Sequence, residues 1–189
     1  MWIASLEEIA GAREPLYAAA EEIFWETANQ TAFPDATARA LYLHKYFQYY
    51  RETEPRWFLL ALDRGSAPHD GSLPAVSGYL CAVPDTRSHQ ELYAIAEHIP
   101  LFRDLYGQYP AHLHINLTAS ARGRGVGSAL IAELENRLVR EGVPGLHLVT
   151  SSTARNRSFY LRNGFEKTVA RGEGPVQALF MGKRLFVDR

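Results

Sequence analysis

His112-Leu113-His114-Ile115-Asn116-Leu117 is followed, after a short turn, by Arg122-Gly123-Arg124-Gly125-Val126-Gly127 and then by Ser128-Ala129-Leu130. The first six residues alternate: His112, His114 and Asn116 lie on one face and Leu113, Ile115 and Leu117 on the other, the two-residue period of a strand. Beyond the glycines, Val126, Leu130, Leu134 and Leu138 recur at helical spacing and predict an amphipathic helix. Gly142 and Pro144 end it, and Leu146 to Thr150 reads as the next strand. Strand, helix and strand in this order mean a right-handed parallel crossover. Glycines between a strand and a helix let a ligand approach the backbone, and the helix start offers unpaired N–H groups with a favourable dipole. Such a turn suits a phosphate or pyrophosphate; the alternative is a tight turn whose glycines serve geometry alone. The dinucleotide fingerprint fits poorly, because its three-glycine spacing and downstream acid are absent, and no Gly-Lys-Ser/Thr follows to make a P-loop.

Working outward, helical patterns cover Arg13 to Asn29 and Asp35 to Tyr50, with Asp35 placed to cap the second after Pro34. Trp57 to Asp63 and Ala75 to Pro84 read as neighbouring strands, joined by an exposed loop from Arg64 to Pro74 dense in turn formers. A third helix is predicted from Ser88 to Tyr106, interrupted at Pro100. On the far side, a short helix from Thr153 to Arg162 stops at Asn163-Gly164, and Phe165 to Ala170 with Val176 to Leu185 form a closing antiparallel pair. The sheet is therefore expected to be mixed, in an α/β chain whose residues 1–189 make a single domain.

The composition agrees with that outline. The chain has 189 residues, 47% hydrophobic and 22% charged, enough for one domain with a sizeable core. A single cysteine, Cys81, excludes an internal disulfide and a multi-cysteine zinc site, and no metal is expected. The opening residues lack a signal-peptide pattern, and no stretch nears the roughly 20 apolar residues of a membrane span. A cytoplasmic protein without membrane contact is the expectation. The net charge of −1 divides unevenly: −7 over residues 1–110, +4 over 111–164 and +2 over the rest. A near-neutral chain is a poor nucleic-acid binder, so no nucleic-acid partner is expected. An Arg-rich segment in an acidic chain suits a compact phosphate-bearing ligand better, although a solvated helix face would look the same.

Arg122-x-x-Gly125-x-Gly127, after a strand and opening a helix, resembles the acyl-CoA pyrophosphate loop of the GNAT superfamily of N-acetyltransferases. Tyr160-x-x-x-Gly164-Phe165 resembles that superfamily's second signature, and together the two motifs span about Ala111 to Thr168. More narrowly, Gly78-Tyr79-Leu80, Pro84-Asp85-Thr86-Arg87 and Tyr109-Pro110-Ala111-His112-Leu113-His114-Ile115 look like bacterial relatives of the acetyltransferase-like C-terminal domain of eukaryotic O-GlcNAcase. The resemblance implies the GNAT fold: a mixed, mostly antiparallel sheet, splayed at a central parallel pair, with helices on both faces. It implies acetyl-CoA as cosubstrate. The pantetheine arm would bond to backbone groups of Ile115 and Leu117, and the pyrophosphate to N–H groups of Arg122, Gly123, Arg124, Gly125, Val126, Gly127 and Ser128. Arg124, Arg155 and Arg157 would reach phosphate oxygens. Many members carry a pantetheine-contacting Asn seven residues before the Tyr; that place is Thr153 here, and Asn156 stands four before.

Acetyl transfer to an amine needs a base for the ammonium, a donor for the oxyanion and an acid for the departing thiolate. By resemblance the acid is Tyr160, whose alternative is a core aromatic beside Phe159. For the base, His112 and His114 share a strand face and imidazole titrates near 6.5, but a strand histidine is more often structural. Asp85 ends a strand near His112; a salt bridge with Arg87 is its competing role. Phe24, Trp25, Tyr42, Tyr46, Phe47, Tyr49 and Tyr50 crowd the first two helices, as core packing or as walls of an acceptor pocket. The function expected is acetyl-CoA-dependent N-acetylation of an amine-bearing acceptor. The competing reading is a catalytically weak acetyl-CoA-binding or interaction module, and a homodimer stays open.

Overall fold

The computed structural model describes residues 1–63 and 73–185. Most of the loop expected from Arg64 to Pro74 lies outside the described residues. The strands are β1 (Trp2–Ser5), β2 (Phe58–Asp63), β3 (Ala75–Val83), β4 (Ala111–Leu117), β5 (Gly145–Ser151), β6 (Lys167–Arg171) and β7 (Ala178–Arg184). They form a seven-stranded sheet in the order β1-β2-β3-β4-β5-β7-β6, mostly antiparallel, with β4 and β5 parallel. The helices around it are α1 (Arg13–Thr27), α2 (Ala36–Leu43), α3 (Tyr49–Thr53), α4 (Gln90–Ile95), α5 (Val126–Arg140) and α6 (Arg157–Arg162). The mixed sheet, the parallel pair and the closing β6–β7 hairpin follow the reading of the sequence.

The chain divides into two units, Met1–Ala82 with His114–Leu134 and Val83–Leu113 with Glu135–Arg189. In the first unit, β2 is buried from Phe58 to Leu62, as a strand flanked by β1 and β3 must be, and it reads as an unbroken apolar run. α1 buries Leu16, Tyr17, Ala20, Ile23 and Phe24 along one stripe. Each large side chain withdrawn from water this way contributes roughly 1.5–3 kcal/mol. Asp35 caps α2 by accepting the Ala38 N–H at 2.8 Å. The helix predicted as far as Tyr50 is interrupted: a π turn at His44–Gln48 separates α2 from α3.

The second unit shows where local signals misplace boundaries. The helix expected from Ser88 to Tyr106 is three short pieces: 3₁₀ turns at Thr86–Ser88 and Pro100–Leu105, with α4 between them. α6 begins at Arg157 rather than Thr153. Ahead of it the Ser151 hydroxyl accepts the Thr153 N–H at 3.2 Å, a side-chain turn that competes with helix. β1 is four residues long, too short for alternation to announce it, and is an addition to the predicted elements.

Candidate functional site

In the first unit the C-terminal half of β4 leads to the glycine-rich turn. Thr118 donates its backbone N–H and its hydroxyl to the Ser77 carbonyl, at 3.0 and 3.1 Å, and so ties the end of β4 to β3. Gly78 permits that approach. A Cβ there would stand 2.8 Å from the Asn116 carbonyl oxygen and 2.3 Å from a Leu117 methyl. Ile115 and Leu117 are half-buried, and the Leu117 carbonyl accepts from the Arg122 guanidinium at 3.3 Å.

Gly123 and Gly125 adopt φ of 73° and 82°, the left-handed region that favours glycine. A Cβ at either would meet nothing within 4 Å, so no protein packing demands their small size. What demands glycine is the backbone turn, and the space beside it is open. The Ala129 N–H donates to the Gly125 carbonyl at 3.0 Å, which starts the helical ladder of α5. The N–H groups of Val126, Gly127 and Ser128 precede that ladder, where a helix leaves donors unpaired. α5 has no acidic residue in its first turn, where one would offset the dipole. Arg122 and Arg124 are exposed beside it. The arrangement is chemically suited to a diphosphate, held by backbone donors and two guanidinium groups without a metal.

His114, on β4, is half-buried between two tyrosines: the Tyr46 ring lies 5.4 Å away at 86° and the Tyr50 ring 5.3 Å away at 83°. Asn116 lies two residues on, and its amide donates to the hydroxyl of fully buried Tyr79 at 2.7 Å. Both side chains are therefore fixed in orientation by tyrosines from other elements. Neither the clamp on His114 nor the Tyr79 anchor is legible in sequence; only the shared face of His114 and Asn116 is. Cys81 is fully buried, and burial pushes its thiol well above the ordinary range, so it is no nucleophile.

The second unit holds the other candidates. His112 is 1% exposed and stacks on fully buried His147, with His98 edge-on at 6.2 Å. Asp85 and Arg87 form a two-pronged ion pair at 2.9 and 2.8 Å, and Asp85 also accepts the Arg87 N–H at 3.0 Å. Partial burial alone would raise the Asp85 carboxyl, but these Arg87 contacts outweigh it and hold it below the usual carboxylate range. Tyr160, on α6, is 6% exposed and packs edge-on against Phe159 and Phe165. Burial pushes its phenol up to about 12, so it stays protonated at neutral pH. Asn156 starts α6 exposed, with its carbonyl accepting the Phe159 N–H at 3.0 Å. Arg155 and Arg157 are exposed, and Arg157 donates to the Ser152 carbonyl at 3.0 Å. Among the described residues no group of three or more His, Cys, Asp or Glu could hold a metal ion, and no helix is long and apolar enough to cross a membrane.

Residues 79–167 match the acetyltransferase (GNAT) domain family. The fold is similar to the crystal structure of SsHAT, at 25% identity and a TM-score of 0.67 over 93% of this chain and 96% of that one. It is also similar to an aminoglycoside 6'-N-acetyltransferase complexed with coenzyme A, at 14% identity and a TM-score of 0.65 over 100% and 99% of the two chains. A ribosomal-protein-alanine N-acetyltransferase from Brucella melitensis aligns at 21% identity, with a TM-score of 0.54 over 97% and 99%.

Proposed function

We propose that the chain is an acetyltransferase of the GNAT superfamily and transfers acetyl from acetyl-CoA to a primary amine by direct attack; the match of residues 79–167 to the acetyltransferase (GNAT) domain supports the reading. The observation that carries the reading is the turn itself: positive-φ Gly123 and Gly125, open space beside both, and a first turn of α5 without an acidic residue. The pyrophosphate takes the N–H groups of residues 122–128, with Arg122 and Arg124 on its oxygens. Ile115 and Leu117 offer backbone groups to the pantetheine, and Asn156 stands in for the Asn common in the superfamily.

The amine nitrogen attacks the thioester carbonyl carbon, the C–S bond breaks, and the amine's proton leaves through a base. His114 is that base, because Tyr46 and Tyr50 fix its ring while leaving it partly exposed, whereas His112 is enclosed among rings. Asp85 is a structural ion pair rather than a base. By the superfamily resemblance, Tyr160 serves the leaving group. A phenol held near 12 does not yield its proton fully to a thiolate whose acid is near 8.5. It donates a hydrogen bond to the sulfur as charge develops, and the proton released by the amine completes the thiol.

Residues 1–189 act as one functional domain in the cytoplasm, as a monomer or homodimer. The short motifs around Gly78, Asp85 and Tyr109 support kinship with bacterial relatives of the O-GlcNAcase acetyltransferase-like domain. The test is a thermal shift with acetyl-CoA, repeated on Gly125→Glu, which puts a bulky anion at the pyrophosphate position. The strain of a side chain at this φ costs about 1–3 kcal/mol, so the variant is checked for folding first. A folded variant with an undiminished acetyl-CoA shift removes the binding loop from the proposal.

A further inference from the structure

We propose that the acceptor is a monoamine on a flat aromatic body, and that Tyr42 and Tyr46 select it along a row of half-buried rings leading to His114. The inference rests on the acetyl-transfer reading and names the substrate class for it. Phe33, Tyr42, Tyr46 and His114 are all half-buried, while Phe24, Phe47 and Tyr50 are buried behind them. The row is continuous: Phe33 to Tyr42 is 5.3 Å between centroids, Tyr42 to Tyr46 is 4.9 Å, and Tyr46 to His114 is 5.4 Å. These are the spacings at which aromatic rings attract one another, so another ring laid along the row meets favourable edges and faces.

The row exists because Tyr42, Tyr46 and Tyr50 recur every four residues. In a plain α-helix a four-residue repeat drifts by about 40° per step. The wider π turn at His44–Gln48 winds back part of that drift, so Tyr46 touches both Tyr42 and His114 while Tyr50 still reaches His114. A π turn is uncommon and costs hydrogen-bond geometry; here it brings Tyr46 and Tyr50 onto one histidine and keeps Tyr42 against Tyr46.

Charge narrows the class to a single ammonium. Arg39 lies 3.8 Å over the Trp25 ring, which itself packs on Phe33 and Tyr42, and Lys45 lies 4.9 Å over the Tyr46 ring. Lys45 sits on the ring next to His114 and Arg39 on a ring beside the row, where the Trp25 indole also donates to Glu21 at 3.3 Å, so a second ammonium on the acceptor finds these aromatic faces already taken by cations. A monoamine places its one nitrogen at His114 and its ring on the tyrosines, and needs no second cation-binding face.

The experiment compares 2-phenylethylamine, spermidine and glutamate as acceptors at saturating acetyl-CoA, following release of the CoA thiol, in the wild-type protein and in Tyr42→Ala. Tyr42 is half-buried and packs on Phe24, Phe33 and Tyr46, and an intact acetyl-CoA thermal shift shows that the variant is folded. The expected result is preference for 2-phenylethylamine by about tenfold or more in kcat/KM. In Tyr42→Ala its KM rises on the order of 5–10-fold with kcat nearly unchanged, as for loss of uniform binding. Faster turnover of spermidine or glutamate, turnover of none of the three by a protein that still binds acetyl-CoA, or an unchanged KM in the variant each overturns the inference while leaving acetyl transfer standing. Absence of any acetyl-CoA shift in the wild-type protein overturns the underlying reading, and this one with it.

Discussion

The imidazole of His147 lies parallel to that of His112, with ring centroids 5.0 Å apart and planes at 5°. Tyr106 and Phe180 each stack on His147 at 4.8 Å, and the Tyr109 carbonyl accepts from its Nδ1–H at 2.7 Å. Burial first, and neighbouring His98 after it, lower the His147 pKa to about 3. The unfolded chain binds this proton near pH 6.5 and the folded one only near 3. Between those values protonation favours unfolding, so stability is full above about 6.5 and declines as pH falls. Its contribution to the slope is about 1.4 kcal/mol per pH unit. Urea denaturation at stepped pH values measures this, and His147→Phe should flatten the slope even where it lowers the plateau. An equal slope in the variant would assign the acid loss to other groups.

Removing only the Tyr160 hydroxyl, as Tyr160→Phe, keeps the ring packed on Phe159 and Phe165. Folding and acetyl-CoA affinity are expected to survive, while turnover falls by about 10²-fold. The assay needs saturating acetyl-CoA and a rate limited by chemistry. Turnover within twofold of wild type returns Tyr160 to a packing role.

Gly78→Ala places a methyl against the Asn116 carbonyl oxygen, a backbone atom that cannot swing aside. The close approach of β3 to β4 should open, at a cost of about 1–3 kcal/mol in stability. Because Asn116 and Leu117 are the residues displaced, acetyl-CoA affinity should weaken as well. A variant with wild-type melting temperature would show that β4 relaxes freely.

Asp85→Asn removes an exposed ion pair and weakens the cap of a 3₁₀ turn. Such pairs contribute little, so a stability loss below about 1 kcal/mol is expected. Turnover at neutral pH should stay within about twofold. A loss of a hundredfold would restore Asp85 as a base.

The central crossover was legible because it is local physics. Alternation over His112 to Leu117, glycines at the turn, and the stripe from Val126 to Leu138 each dictate one element, and their order dictates a parallel pair. The phosphate-suited turn was legible for the same reason, since Gly123 and Gly125 serve a backbone conformation rather than a distant contact. The sequence could not rank His112 against His114, which sit on one face at equal spacing. Tertiary packing gives them different surroundings: His112 stacks on His147 from β5, and His114 meets Tyr46 and Tyr50 from the π turn and α3. Periodicity records which face of a strand a residue takes, and it carries no information about which distant element covers that face. The π turn is hidden in the same way, because it forms where packing of Tyr46, Phe47 and Tyr50 outweighs the regular ladder, and no residue signature announces that balance.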